Sequence, residues 1–312
     1  MRAGAKRSTA DAALVLQWGM SLLSPRTLPQ AVNLVHVRID DQPRGDPEER
    51  ERLQRLRSLD DPRAWRAAVL VLMLSSQSDA ELHVWRDLCS DAPMALQLFE
   101  DVSRLWPSQR LPWLEHFARR LAPRPVVQRH ELIGAARRLL TADGVVSSMD
   151  QLRWIALRHL LAGSAVAPPA AAANEFETLD RQQVHAICVF CGFLSTLVPT
   201  LEITLDPTGY GSVSQEWYDS VTSPWIDHAD VPARLGYDID AALRALRDLQ
   251  AMPWLLRPML VRSWFDAARA LTDGPLLHAA AADALRLCCV LMDSPVPPEL
   301  GQQYIEVDQK EK

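Results

Sequence analysis

Two cysteines in "CVFCGF", Cys188 and Cys191, stand at the C-x-x-C spacing used by dithiol redox centres and by half of a zinc site. His185 lies three residues before the first, and Cys288 and Cys289 follow near the end of the chain. Redox use requires the pair at a helix start, where the N-terminal amides lower the thiol pKa. Here it falls inside an apolar run with Val184, Ile187, Phe190 and Phe193, which predicts buried structural thiols. A second constellation is acidic. In "RRLLTADGVVSSMDQL", Asp143 and Asp150 could hold a divalent cation if backbone carbonyls turned inward, but the loop lacks the oxygen ligands at alternate positions that a calcium loop supplies. The eight histidines are scattered, and no H-E-x-x-H helix, G-x-S-x-G elbow, phosphate-cradling Gly loop or dinucleotide fingerprint occurs.

Local chemistry accounts for the acidic stretch without a ligand. Gly144 can take a positive φ and end the preceding helix. Ser147 can then cap the next one, with Asp150 at its third position reaching back to the cap. The stretch therefore reads as a helix-turn-helix hairpin. A second phrase, "AARALTDGPLLHAAAADAL", repeats the Asp-Gly pair at Asp273 and Gly274, with Pro275 next and Ala280 where the first copy has its second acid.

The elements that must carry these residues are helices. Gly is scarce (12) and Pro plentiful (22), with Ala, Leu and Arg recurring throughout. Asp46 before Pro47, and Asp61 before Pro62, place a cap and a first-turn proline where the missing N–H costs nothing. Ser78 followed by Glu81 is a capping box. Leu111, Leu114, Phe117, Ala118 and Leu121 repeat at helical spacing. The class is all-α: helical hairpins forming two halves. Residues 1–45 form an N-terminal helix and connector, 46–162 the first half and 163–175 an Ala/Pro-rich linker. Residues 176–300 form the second half with an irregular insert at 199–235, and 301–312 a polar tail. Within the insert, "LEITL" is a short strand candidate without an evident partner. Pro123 to Asp143 and Pro253 to Asp273 span the same distance, a thin internal echo.

A net charge of −6 gives no global positive field to recruit nucleic acid. No apolar run approaches the roughly 18 residues needed to span a bilayer. The basic-then-apolar N-terminus invites a signal-peptide reading, but Asp11 and Gln17 interrupt it and no small-x-small cleavage site follows, so an amphipathic first helix is expected. Five cysteines do not form a disulfide framework, which points to the cytoplasm. Of ten tryptophans, Trp65, Trp85, Trp113, Trp154 and Trp264 fall in helical patterns and are expected in the core. Trp217, Tyr218 and Trp225 lie among polar residues of the insert, either as anchors beneath a loop or as a contact surface for a partner.

"ADGVVS" followed by Asp150 resembles the A-D-G-x-[VI]-[ST]-x-x-[DE] signature of TerB-like, tellurite-resistance-type helical domains. "RLPWLEHFARRLAP" with the hairpin after it is similar to the helical C-terminal region of bacterial HtpX-like membrane metallopeptidases, whose peptidase part this sequence lacks. The resemblance spans about residues 50–300 and implies two TerB-like halves. It also implies a non-catalytic interaction or scaffold module whose partner is a protein of a membrane-associated or stress-response complex, bound without a cofactor. On this reading Trp217, Tyr218 and Trp225 present the contact surface. The alternative is a metal-responsive module with a divalent cation at Asp143 and Asp150, and a thiol-dependent enzyme is the third class.

Overall fold

The computed structural model describes residues 46–74, 78–162, 179–198, 212–225, 238–272 and 274–307. These form thirteen α-helices and no strand. The first seven are α1 (Pro47–Arg57), α2 (Pro62–Met73), α3 (Asp79–Leu88), α4 (Ala95–Ser103), α5 (Pro107–Leu121), α6 (Val126–Leu140) and α7 (Ser148–Ala162). The remainder are α8 (Arg181–Leu194), α9 (Ser212–Thr222), α10 (Ile239–Gln250), α11 (Leu256–Ala270), α12 (Ala279–Leu291) and the single-turn α13 (Pro298–Gly301).

Helix starts follow the sequence signals because each cap satisfies an amide that the helix itself cannot. The Asp46 carboxylate accepts the Glu48 N–H at 3.0 Å, and Asp61 accepts that of Arg63 at 2.8 Å. Ser78 Oγ accepts the Glu81 N–H at 3.2 Å. At α8 the box is reciprocal: Asp180 accepts the Gln183 N–H at 2.8 Å while Gln183 accepts that of Asp180 at 3.0 Å.

The core runs through all of these helices except the last turns at the surface. On α2, residues Ala67 to Met73 are buried on every side, and α2 packs on α4, α5 and α6. The pairings repeat along the chain: α2 with α5 and α8 with α10, α3 with α6 and α9 with α11, α6 with α7 and α11 with α12. The segments on either side of residues 163–178 are joined chiefly by α7 packing on α12. Indole N–H groups tie neighbouring helices to one another. Trp85 donates to the Ala67 carbonyl at 3.3 Å, and Trp217 to that of Trp264 at 3.2 Å.

Two expected boundaries change. The insert is not irregular throughout: Val213, Trp217, Tyr218 and Val221 recur at helical spacing, α9 forms there, and a 3-10 turn at Ser223–Trp225 follows. The glycines and prolines before Ser212 mask that periodicity in the sequence. The tail does not begin at residue 301 either. Tyr304 is buried, and Ile305 N–H donates to the Ser108 carbonyl at 3.1 Å, so residues 302–307 lie against α5. The N-terminal helix, the linker and the "LEITL" strand candidate lie outside the described residues. Among the described residues no helix is long and apolar enough to cross a membrane.

Candidate functional site

The first Asp-Gly hairpin has the geometry its chemistry predicts. Gly144 sits at φ 76°, where a side chain would be strained. The Asp143 carboxylate accepts the Val145 N–H at 2.9 Å, closing the turn. Asp150 Oδ2 accepts both the Ser147 N–H at 3.1 Å and the Ser147 hydroxyl at 2.6 Å, while the Asp150 N–H donates to Ser147 Oγ at 3.1 Å. Each carboxylate is thus engaged with its own backbone. No group of three or more His, Cys, Asp or Glu that could hold a metal ion occurs among the described residues. The pair does the work of a turn and a cap.

The aromatic expectation needs correction. Trp217 is fully buried, Tyr218 and Trp225 nearly so, and Trp217 hydrogen-bonds across to α11. A contact surface needs rings that water can reach, whereas these fill the space between α8, α9 and α11. They belong to the core, as anchors.

All five cysteines are free and buried. Burial pushes the Cys188 thiol up to about 11, and the Cys89 and Cys289 thiols to about 12. Cys191 and Cys288 are raised further by the same cause, so every one is protonated at neutral pH. The C-x-x-C pair lies within α8 and not at its start, so the helix end lends neither sulfur a lowered pKa.

Sequence reasoning missed two arrangements. The first is an apolar corner at the start of α11. Trp254 is 69 % exposed, Leu255 45 % and Met259 49 %. Leu255 and Met259 are one turn apart on one face, with Trp254 beside them. The opposite face carries Leu256, Leu260, Val261 and Trp264 into the core. The start of α11 is therefore apolar on two faces, Arg257 apart, but packed on one side only. The signal was present in "MPWLLRPML", where no polar residue but Arg257 breaks the run.

The second is a buried ionic joint. Arg286 on α12 donates to Glu115 on α5 at 2.7 Å and, through both terminal nitrogens, to Glu306 at 2.6 and 3.1 Å. Burial alone would lower the Arg286 pKa, but pairing with Glu306 and Glu115 outweighs it and the pKa rises. The guanidinium also stacks 4.5 Å above the Tyr304 ring, whose hydroxyl donates to Asp283 at 3.0 Å. A smaller joint lies at the end of α12, where His159 meets Asp293 at 2.9 Å and Arg257 approaches the same carboxylate at 3.6 Å. Asp293 has φ 48° where a helix end usually places glycine. Its side chain supplies contacts that glycine would forfeit. Both joints link elements far apart in sequence and fix α12 against the first seven helices.

No family model, curated protein or solved structure matches the chain.

Proposed function

We propose that this protein is a non-catalytic interaction module, built from two TerB-like halves, that captures a protein partner of a membrane-associated or stress-response complex. The observation that carries the reading is the exposed Trp254–Leu255–Met259 corner, held on a helix whose other face is locked into the core. Tryptophan on a rigid support is the side chain most often found at the centre of a binding hot spot, since it buries a large area at little entropic cost. The resemblance of the Asp143–Asp150 hairpin to TerB-like domains supports the choice of class. The repeated helix pairings support two halves, each a hairpin set, with the ionic joints between them.

The test uses the full chain with a photocrosslinking residue at position 254, and the same probe at exposed Val145 as control. The expected result is one defined protein trapped from position 254 and not from 145. That protein, purified, should bind the wild type and lose at least tenfold in affinity to Trp254→Ser/Met259→Ser. Crosslinks that run only to residues 1–45 of the chain itself, or equal capture from both positions, would overturn the reading.

A further inference from the structure

Beyond that surface, we propose that a cleft between the start of α2, the end of α5 and α6 binds a small molecule bearing two or more phosphate groups. The cleft has a volume of about 1000 Å³, the upper end of the range for sites that hold cofactor-sized ligands. Six arginines line it: Arg63, Arg66, Arg124, Arg129, Arg137 and Arg138. Three carboxylates, Asp61, Asp91 and Glu131, share the walls, so the lining carries a positive surplus in a chain whose net charge is −6.

What holds these arginines matters more than their number. Arg66 is positioned by a hydrogen bond to the Leu88 carbonyl at 3.2 Å, with Asp91 only loosely approached at 3.9 Å. Arg129 is positioned by the Leu161 carbonyl. Arg124 lies 6.0 Å from the centre of the Trp65 ring, beside Arg120 at 5.2 Å on the same ring. Carbonyls and an aromatic face fix a guanidinium without neutralising its charge. Arg63 is ion-paired with Asp61 at 3.1 Å, and Arg124 lies in the field of the same carboxylate without bonding to it, whereas Arg138 has no ion pair within 4 Å among the described residues. The Nε–H groups of Arg66 and Arg129 are buried and have no acceptor. Guanidinium forks held mainly by carbonyls and an aromatic face, with fewer carboxylates than arginines around them, are suited to phosphate oxygens, which they grip in pairs. Arg137 and Arg138 also complement the carboxyl end of α6, but that role does not explain why arginines of α2 and of the α5–α6 turn converge on the same space.

Gly134, in the middle of α6 and on the cleft wall, supplies a position from which the cleft can be filled. Glycine weakens a helix interior, and is commonly tolerated where a neighbouring backbone comes close. Here a Cβ would meet nothing within 4 Å. Packing does not demand this glycine, and a side chain at this position would occupy open space on the cleft wall. Among the described residues no aromatic ring lines the cleft, so we place recognition on the phosphates and not on stacking of a base.

The experiment is isothermal titration calorimetry of the full chain at physiological salt with pyrophosphate and with adenosine diphosphate, against sulfate as the control anion. Pyrophosphate is expected to bind at least tenfold more tightly than sulfate. Arg124→Ala/Arg138→Ala should weaken it tenfold or more with the Tm of the free protein unchanged within about 2 °C. Gly134→Leu provides a sign test: filling the cleft should abolish binding while the Tm holds or rises, because a side chain favours the helix. Binding no tighter than sulfate, or binding that survives in both variants, overturns the proposal. Tight adenosine diphosphate binding with no pyrophosphate binding also overturns it, since recognition would then reside in the nucleoside.

Discussion

Arg286 and Glu115, 171 residues apart, meet at 2.7 Å where their side chains are 3 % and 6 % exposed. Neither could be buried alone, because an uncompensated charge in a helical core costs several kcal/mol. The pair therefore requires α5 and α12 to arrive together, and Arg119 at 2.9 Å from the other Glu115 oxygen completes the coordination. Arg286→Met is expected to destabilise by about 3–5 kcal/mol, since it leaves the buried Glu115 carboxylate without its buried partner. Combining it with Glu115→Leu should cost less than the two single changes summed. Urea unfolding of the four proteins measures this, and strictly additive losses would show that the two groups are not coupled.

His116 gives the pH dependence a defined sign. Burial, with Arg120 and Arg119 nearby, lowers its pKa from 6.5 to about 4. Between those values the unfolded chain binds more protons than the folded one, so stability falls as pH drops from about 6.5 toward 4. The contribution is on the order of 1–3 kcal/mol, fully present above the unfolded pKa. His116 lies against Trp113 and Phe117, with Nε2 buried and without a partner, so His116→Leu should flatten this part of the profile. An unchanged slope between pH 4 and 6.5 in that variant would assign the acid sensitivity to other groups.

Trp217 and Trp254 should part company on mutation. Trp217→Ala opens a large cavity between α9 and α11 and removes the indole N–H that donates to the Trp264 carbonyl, so a loss of about 3–5 kcal/mol is expected. Trp254→Ala removes little packing and should alter stability by less than about 0.5 kcal/mol. Chemical denaturation decides it. Comparable effects at the two positions would mean that the corner is packed or the core ring is not.

The hairpin residues act through their own turn and cap. Gly144→Ala should cost about 1–2 kcal/mol from the left-handed backbone, and Asp150→Ala about 1 kcal/mol from the lost cap. The Asp150 loss should be equal in calcium and in chelator. A calcium-dependent rise in Tm that Asp150→Ala abolishes would instead make the two aspartates a metal site.

The thiols should be slow. With all five buried and raised by desolvation, alkylation of the folded chain should proceed at the rate of opening and accelerate in urea. Rapid labelling of Cys188 alone would revive the thiol-enzyme class.

Part of the candidate site was legible and part was not. The Asp143–Asp150 hairpin is a matter of residues within a few positions of one another, and its cap and turn follow from side-chain reach. For Trp217 and Trp225 the polar flanking chain leaves anchoring and exposure both open in the sequence, and the contact surface is the alternative that the structure overturns. Whether a ring is wet depends on what packs over it, and that covering comes from α11, more than thirty residues on. Trp254 shows the converse, an apolar stretch that looks like core and stands at the surface.

By itself, the sequence determined the helices and their ends: caps at Asp46, Asp61, Ser78 and Ser147, the glycine stop at Gly144, and the apolar spacing of α5. These are short-range effects, set by hydrogen bonds to nearby amides and by the helical repeat. Only the tertiary structure decided which charges are buried together, as with Arg286 and Glu115, and which are left facing a cleft, as with Arg124 and Arg138. An arginine's sequence neighbours state its charge but not its surroundings. Its role is fixed by groups brought from distant helices, through burial and through the presence or absence of a compensating carboxylate.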